Sequence, residues 1–211
     1  MQETYIFDFD GTLVDSMDAA VKVLLEYLDE RGAKYGDDIV KTIIPLGYKG
    51  IASYYVETFK LTETPTQVYD EIVKRLVRVY AEEVMDKPEV EKKLRELKAR
   101  GASLNILTAS PHAFLDPCLK RLGWGELFDN AWSSDDFDMR KTNPQIYVSA
   151  AERLGAKPAE CYMADDNVEA LFAASQAGLK TIAVYDSYST AYEKQLRSFA
   201  DKYVYSFKEL I

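Results

Sequence analysis

Apolar residues recur along this chain in two rhythms, one suited to buried strands and one to amphipathic helices. Residues 4–9, TYIFDF, form a short run of β-branched and aromatic residues left at Gly11, and they predict a first strand. From Ser16, expected as an N-cap, Val21, Leu24, Leu25 and Leu28 fall at the i, i+3, i+4, i+7 spacing of a helix that ends near Gly32. Similar stripes cover 51–59 and 65–85, the latter through Val68, Ile72, Leu76 and Val79, with no strand signal between them. Past Lys87-Pro88 the rhythm changes. Helices are expected over 89–100, 111–122 and 168–177, after Asn143-Pro144, and from Thr190. Strands are expected over 104–107, 131–133, 161–164, 181–185 and 203–205. Such alternation implies right-handed crossovers and a parallel sheet whose ligands bind at the carboxyl ends of the strands. The expected fold class is therefore α/β, a Rossmann-like parallel-sheet core made of residues 1–15 and 88–211. A helical domain, 16–87, is inserted after the first strand, with hinges near 14–16 and 85–88.

Composition narrows the function. The chain has 211 residues and is 47% hydrophobic and 29% charged, enough apolar material for a buried core. With 26 Lys and Arg against 35 Asp and Glu, its net charge is −9, which argues against a nucleic-acid partner. No apolar run approaches the roughly 18 residues that span a bilayer, and the start, Met1-Gln2-Glu3-Thr4, lacks the basic-then-apolar layout of a signal peptide. A cytoplasmic protein without a membrane partner is expected, with oligomeric state left open. Cys118 and Cys161 make no metal spacing and are expected as reduced core residues. His112 is the sole histidine, which excludes sites needing several imidazoles and is expected at a surface helix start. The charged stretch 87–100 is expected as a solvated helix face.

The chemistry gathers at the expected strand ends. Asp8 and Asp10 stand two apart, so on extended backbone they point to the same side. Two carboxylates in one pocket are tolerated when a cation joins them or one takes a proton. Asp165, from another strand end, would complete an oxygen-rich cluster suited to Mg²⁺. Thr108 and Lys141 add a hydroxyl donor and a positive charge, groups that hold a phosphate. Asp166 is a candidate secondary site residue or a cap for the following helix, and Glu169, four residues after Asp165, is a candidate secondary site residue or a solvent-facing one. Asp135, Asp136 and Asp138 are expected in a solvated loop.

These residues resemble the four ordered motifs of the haloacid dehalogenase superfamily: DFDGTLVDS at 8–16, the strand-end Thr108, Lys141 in KTNPQIY, and ADDNVEA at 164–170. The helical insert resembles the cap of the subfamily that includes phosphoglycolate phosphatase and β-phosphoglucomutase. The resemblance implies a nucleophilic Asp8 that becomes an aspartyl phosphate, and Asp10 as the acid for the leaving oxygen and then the base for water. It implies Mg²⁺ held by the carboxylates of Asp8 and Asp165 and the backbone carbonyl of Asp10. Thr108, Lys141 and backbone amides near Phe9, Asp10 and Ala109 would bind the transferring phosphoryl group. Two positions depart from the family pattern. Thr142 replaces the proline after the lysine, and Ala164 stands where Gly is usual.

By the same resemblance, Asp10 argues against dehalogenases and phosphonate-cleaving relatives, which lack it. Mutase relatives tend to have Glu where this chain has Ala164, so a phosphatase acting on a small phosphorylated metabolite is favoured over a sugar phosphomutase. A non-catalytic phosphate-binding regulator stays as a third alternative. Residues 45–50, PLGYKG, are expected as a loop between helices that presents Tyr48 and Lys49. Lys49 is a candidate to hold a second anionic group of the substrate or else a surface lysine.

Overall fold

A computed structural model of the chain describes residues 2–210, at Pro45 the backbone alone. Met1 and Ile211, at the ends of the expected core, lie outside the described residues. The chain divides into two compact units, Met1–Ser16 with Met85–Ile211, and Met17–Val84.

The first unit is built on six parallel strands: β1 (Thr4–Phe7), β2 (Ser103–Thr108), β3 (Asn130–Ser133), β4 (Cys161–Asp165), β5 (Lys180–Val184) and β6 (Lys202–Val204). Their order, β3-β2-β1-β4-β5-β6, is that of a Rossmann-like sheet, with the reversal of direction between β1 and β4. All four residues of β1 are buried, as a central strand covered on both faces requires. Phe7 pairs with Ile106 on one side and Ala164 on the other, and the amide of Asp8 donates to the Ala164 carbonyl at 2.8 Å. That register brings the ends of β1 and β4 level.

The helical unit holds α1 (Met17–Asp29), α2 (Ile39–Ile43), α3 (Gly47–Phe59) and α4 (Pro65–Glu82). It contains no strand among the described residues. Thr64 and Gln67 form a reciprocal capping box at the start of α4, with Pro65 behind the cap, so the expected boundary there has a local cause. Val68, Ile72, Leu76 and Tyr80 form the buried stripe of α4, and the Tyr55 hydroxyl donates to the Leu24 carbonyl. Two expectations are corrected here. The pattern missed α2, which has only five residues. Residues 45–50 are not a loop: a 3₁₀ turn, Ile44–Leu46, runs directly into α3, so Tyr48 and Lys49 lie in the first turn of a helix. Lys49 is exposed, its Nζ 6.0 Å from the centroid of the Tyr69 ring.

The remaining helices, α5 (Val90–Ala99), α6 (His112–Leu122), α7 (Pro144–Arg153), α8 (Val168–Gln176) and α9 (Glu193–Phe199), cross between the strands of the first unit. One apolar cluster joins Ile6, Leu107, Ile146, Met163, Leu171 and Leu196, drawn from β1, β2, α7, β4, α8 and α9. Cys118 and Cys161 are buried free thiols, and burial pushes Cys118 up to about 11. Among the described residues no helix is long and apolar enough to cross a membrane.

Candidate active site

The ends of β1 and β4 carry the acidic residues. Asp8 follows β1, Asp165 closes β4, and Asp166 follows it. One carboxylate oxygen from each of these three lies within 4.8 Å of the others. Lys141, in the segment between β3 and α7, reaches into the group with its Nζ 2.5 Å from Asp8 Oδ1 and 2.7 Å from Asp165 Oδ2. Lys141, Asp8 and Asp165 are all buried, so these charges interact with little solvent screening. The other Asp165 oxygen, Oδ1, accepts the Asn167 amide at 2.8 Å, which fixes the carboxylate plane.

The electrostatics follow from burial. Desolvation is the largest effect on Asp8 and, with repulsion from Asp165 and Asp10 and against the pull of Lys141, pushes it up to about 7. Burial raises Asp166 well above the ordinary carboxylate range, with Asp165 and Asp8 adding to the rise. Burial disfavours the Lys141 ammonium, yet Asp165 and Asp8 beside it keep its pKa above the usual lysine value. Lys141 thus sits between two of the three carboxyl groups, Asp8 and Asp165, and Asp166 adds a third oxygen donor beside them. All donors in this trio are hard oxygens, with no thiol or imidazole among them, so the cluster fits a divalent cation of the Mg²⁺ type.

Asp10 is placed differently. Its Oδ1 accepts from the Ser16 hydroxyl and its Oδ2 from the Ser110 hydroxyl, both at 2.6 Å. Its carboxylate is therefore oriented at both oxygens. Ser16, expected as a helix N-cap, stands immediately before α1, and its hydroxyl proton goes to Asp10. Thr108 is buried at the end of β2, and its Oγ1 accepts the Ser110 amide at 3.0 Å, which shapes the turn through Ala109. Phe9 is fully buried, so only its backbone faces this chemistry.

The neighbouring positions sort plainly. The cap of α8 is Asn167, whose Oδ1 accepts the amides of Glu169 and Ala170, and Asp166 is bonded to Thr12 in both directions. Glu169 is exposed in the first turn of α8 and does not join the carboxylate trio. The acidic run holds a 3₁₀ turn, Ser134–Phe137, in which Asp136 accepts the Ser133 amide. His112, surface-lying as expected, has Nδ1 2.8 Å from Asp116 and Nε2 2.9 Å from Asp136. Sequence reasoning passed over Ser16, Ser110, Thr12 and Asn167 as functional neighbours. Ser110 was open to detection, since it lies two residues past Thr108 at a strand end.

A model of the haloacid dehalogenase-like hydrolases matches residues 2–178. The chain belongs to that family. A phosphoglycolate phosphatase of Psychrobacter arcticus is 25% identical to it over 93% of this chain and 88% of its own length. The pyrophosphatase PpaX of Bacillus velezensis is 30% identical over 85% of this chain and 81% of its own length. Among solved structures, CbbY from Rhodobacter sphaeroides in complex with phosphate superposes with a TM-score of 0.83 at 24% identity, covering 100% of this chain and 96% of that one. The structural likeness concerns the fold, and it agrees with the Rossmann-like sheet found here. In this haloacid dehalogenase-like hydrolase the acidic loops after β1 and β4 thus occupy the switch point of the sheet, where such sheets bind their ligands.

Proposed function

We propose that the chain is a Mg²⁺-dependent phosphomonoesterase that hydrolyses a small phosphorylated metabolite in the cytoplasm through an aspartyl phosphate on Asp8. The observation that carries this reading is the convergence of Asp8, Asp165 and Asp166 oxygens at the strand ends, with the buried Lys141 paired to Asp8 and Asp165 and with Asp10 two residues beyond Asp8. The phosphatase names among the relatives agree with it.

Asp8 and Asp165, with the Asp10 carbonyl, are the residues that would hold Mg²⁺, and Asp166 stands close enough to contribute. Bound there, the ion supplies positive charge that lets an anionic nucleophile meet an anionic phosphate. An Asp8 carboxylate oxygen attacks phosphorus, and the bond from phosphorus to the leaving oxygen breaks. Asp10 gives its proton to that oxygen, so the product departs as an alcohol. Asp10, now a carboxylate, takes a proton from water as the water attacks the phosphorus. The Asp8–phosphorus bond breaks, releasing orthophosphate and restoring the Asp8 carboxylate. Lys141, the Thr108 hydroxyl and the amides near Phe9 and Ala109 bind the equatorial oxygens. We assign to the helical unit the role of a cap that selects the substrate.

The test is phosphate release from a panel of phosphorylated sugars, phosphoglycolate and nucleotides, with and without Mg²⁺, and with Asp8→Asn as the control. Release that needs both Mg²⁺ and Asp8, together with a hydroxylamine-sensitive phosphoenzyme, is the expected result. Absence of release from every substrate overturns it, as does conversion of one sugar phosphate into its isomer without free phosphate, which would mark a phosphomutase.

A further inference from the structure

Lys87 opens the charge-rich stretch that the sequence pattern assigns to solvent, yet its side chain is only 16% exposed. Its Nζ donates to the Gly11 carbonyl at 2.6 Å, the Tyr185 carbonyl at 2.8 Å and Asp186 Oδ2 at 2.9 Å. An ammonium has three protons, and here each has an acceptor. Asp186 is 3% exposed and follows β5, so one buried carboxylate at a further strand end is neutralised by this lysine.

The position of Lys87 is itself fixed by backbone. Its amide donates to the Leu13 carbonyl at 3.0 Å, the Asp15 amide donates to the Met85 carbonyl at 2.9 Å, and Val14 and Asp86 form an antiparallel bridge between those two bonds. Residues 85–87 are thus laced to 13–15, and the lysine side chain reaches back to the carbonyl of Gly11, the residue after Asp10. Gly11 has φ of 73°, and its amide donates to the Val14 carbonyl at 3.0 Å. The loop that carries Asp10 is held at its carboxylate by Ser16 and Ser110 and at its next carbonyl by Lys87.

We propose that Lys87 is a positioning residue for Asp10: by binding the Gly11 carbonyl and tying it to Asp186 and the end of β5, it sets where the Asp10 carboxyl gives and takes its proton. The role of Asp10 rests on the phosphomonoesterase reading above. Lys87 itself touches no reacting atom. A displaced Asp10 slows the steps that need its proton, and leaves the attack by Asp8 on a substrate with a good leaving group intact.

The experiment compares the full-length protein with Lys87→Met, Lys87→Arg and Asp10→Asn on p-nitrophenyl phosphate and on an alkyl phosphate. The nitrophenolate burst reads phosphoryl transfer to Asp8, which asks little of the acid; steady-state turnover and the alkyl phosphate ask for Asp10. For Lys87→Met the expected result on p-nitrophenyl phosphate is a burst rate within about threefold of the parent, with turnover and KM lowered together about 10- to 100-fold because the slowed step follows phosphoryl transfer; turnover of the alkyl phosphate falls about 10- to 100-fold as well. Asp10→Asn should give the same signature more strongly. Lys87→Arg keeps the charge against Asp186, so it carries the same test should the Met variant not fold, with a smaller loss of the same kind. Equal losses of burst and turnover, or unchanged turnover, overturn the proposal. Hydrogen exchange over residues 8–15 gives a readout apart from activity: faster exchange in the Lys87 variants supports the clamp, and unchanged exchange overturns it. If the parent protein releases no phosphate from any substrate, the functional reading fails while the exchange measurement still decides whether Lys87 holds this loop.

Discussion

Lys141 and Asp8 meet at 2.5 Å in a site where both side chains are buried, and Lys141 makes a second ion pair to Asp165. The lysine keeps two buried carboxylates from facing one another with no cation between them. Lys141→Met removes that charge and leaves the trio with like charges only, a change that costs about 3–5 kcal/mol when one partner of a buried pair is lost. The expected outcome is a lower melting temperature without metal, partly recovered on adding Mg²⁺, since a divalent ion restores positive charge at the same oxygens. Under the proposed mechanism, catalysis should also fall by about 10²–10³ even with saturating Mg²⁺, because that mechanism assigns Lys141 as a donor to the phosphoryl oxygens. Thermal melts with and without Mg²⁺, beside kcat/KM, check both parts.

The Ser110 hydroxyl can be removed without touching the backbone of its turn, so a variant there probes Asp10. Its hydroxyl donates to Asp10 Oδ2, whereas its amide, which Ala would keep, donates to Thr108. A hydrogen bond to a charged group contributes about 1.5–3 kcal/mol, and Ser16 still holds the other oxygen after Ser110→Ala. The expected loss in kcat is about tenfold, with KM little changed, and the double variant Ser16→Ala/Ser110→Ala should lose more than either alone. Unchanged kcat in the double variant would show that Asp10 needs no orientation from either serine.

The strand ends were the legible part of this chain. TYIF announces a buried strand by itself, and the rule that ligands gather at the carboxyl ends of parallel strands picks out Asp8, Thr108 and Asp165 before any coordinates. The same rule applied to 181–185 would have found Asp186, which was passed over because no motif flagged it. Lys87 was illegible for a different reason: its partners Tyr185 and Asp186 lie almost a hundred residues away, and composition around it describes only the exposed face of α5. Gly47 and Gly50 made residues 45–50 read as a loop. In the structure Gly47 takes φ of 64° at the joint between the 3₁₀ turn and α3, and Gly50 sits inside that helix. A glycine punctuates a pattern without saying whether the chain breaks or only bends there.

His112 supplies a pH dependence that is separate from the active site. Hydrogen bonds that the ring donates to the Asp116 and Asp136 carboxylates raise its pKa above the ordinary histidine value, and the ring is 42% exposed. A group whose folded pKa is raised contributes stability that is fully present below its unfolded pKa of about 6.5 and is lost as pH rises through the folded value. Exposure discounts the gain to about 0–1 kcal/mol, or up to a few degrees of melting temperature in a chain of this size. His112→Gln should therefore lower the melting temperature at pH 5.5 and leave it nearly unchanged at pH 9. A variant equally destabilised at both pH values would show that the ring contributes by packing and not by charge.

Gly11 couples backbone conformation to the carboxylate trio. With φ of 73° it occupies a region that side chains disfavour, and a Cβ built there would lie 2.9 Å from Asp166 Oδ1. Gly11→Ala thus strains the turn after Asp10, at about 1–2 kcal/mol, and also presses on the Asp166 carboxylate that Thr12 holds in place. Asp166 is one of the three residues whose oxygens converge within 4.8 Å, so its displacement should reach the metal as well as the fold. The expected result is a melting temperature lower by several degrees and a rise in the Mg²⁺ concentration needed for half-maximal activity, with Mg²⁺ binding followed independently by calorimetry. Adding Asp166→Ala to Gly11→Ala removes the atom that the new methyl meets. If steric pressure on Asp166 is the cause, the double variant binds Mg²⁺ no more weakly than Asp166→Ala alone; a further loss would assign the effect to the strained turn itself.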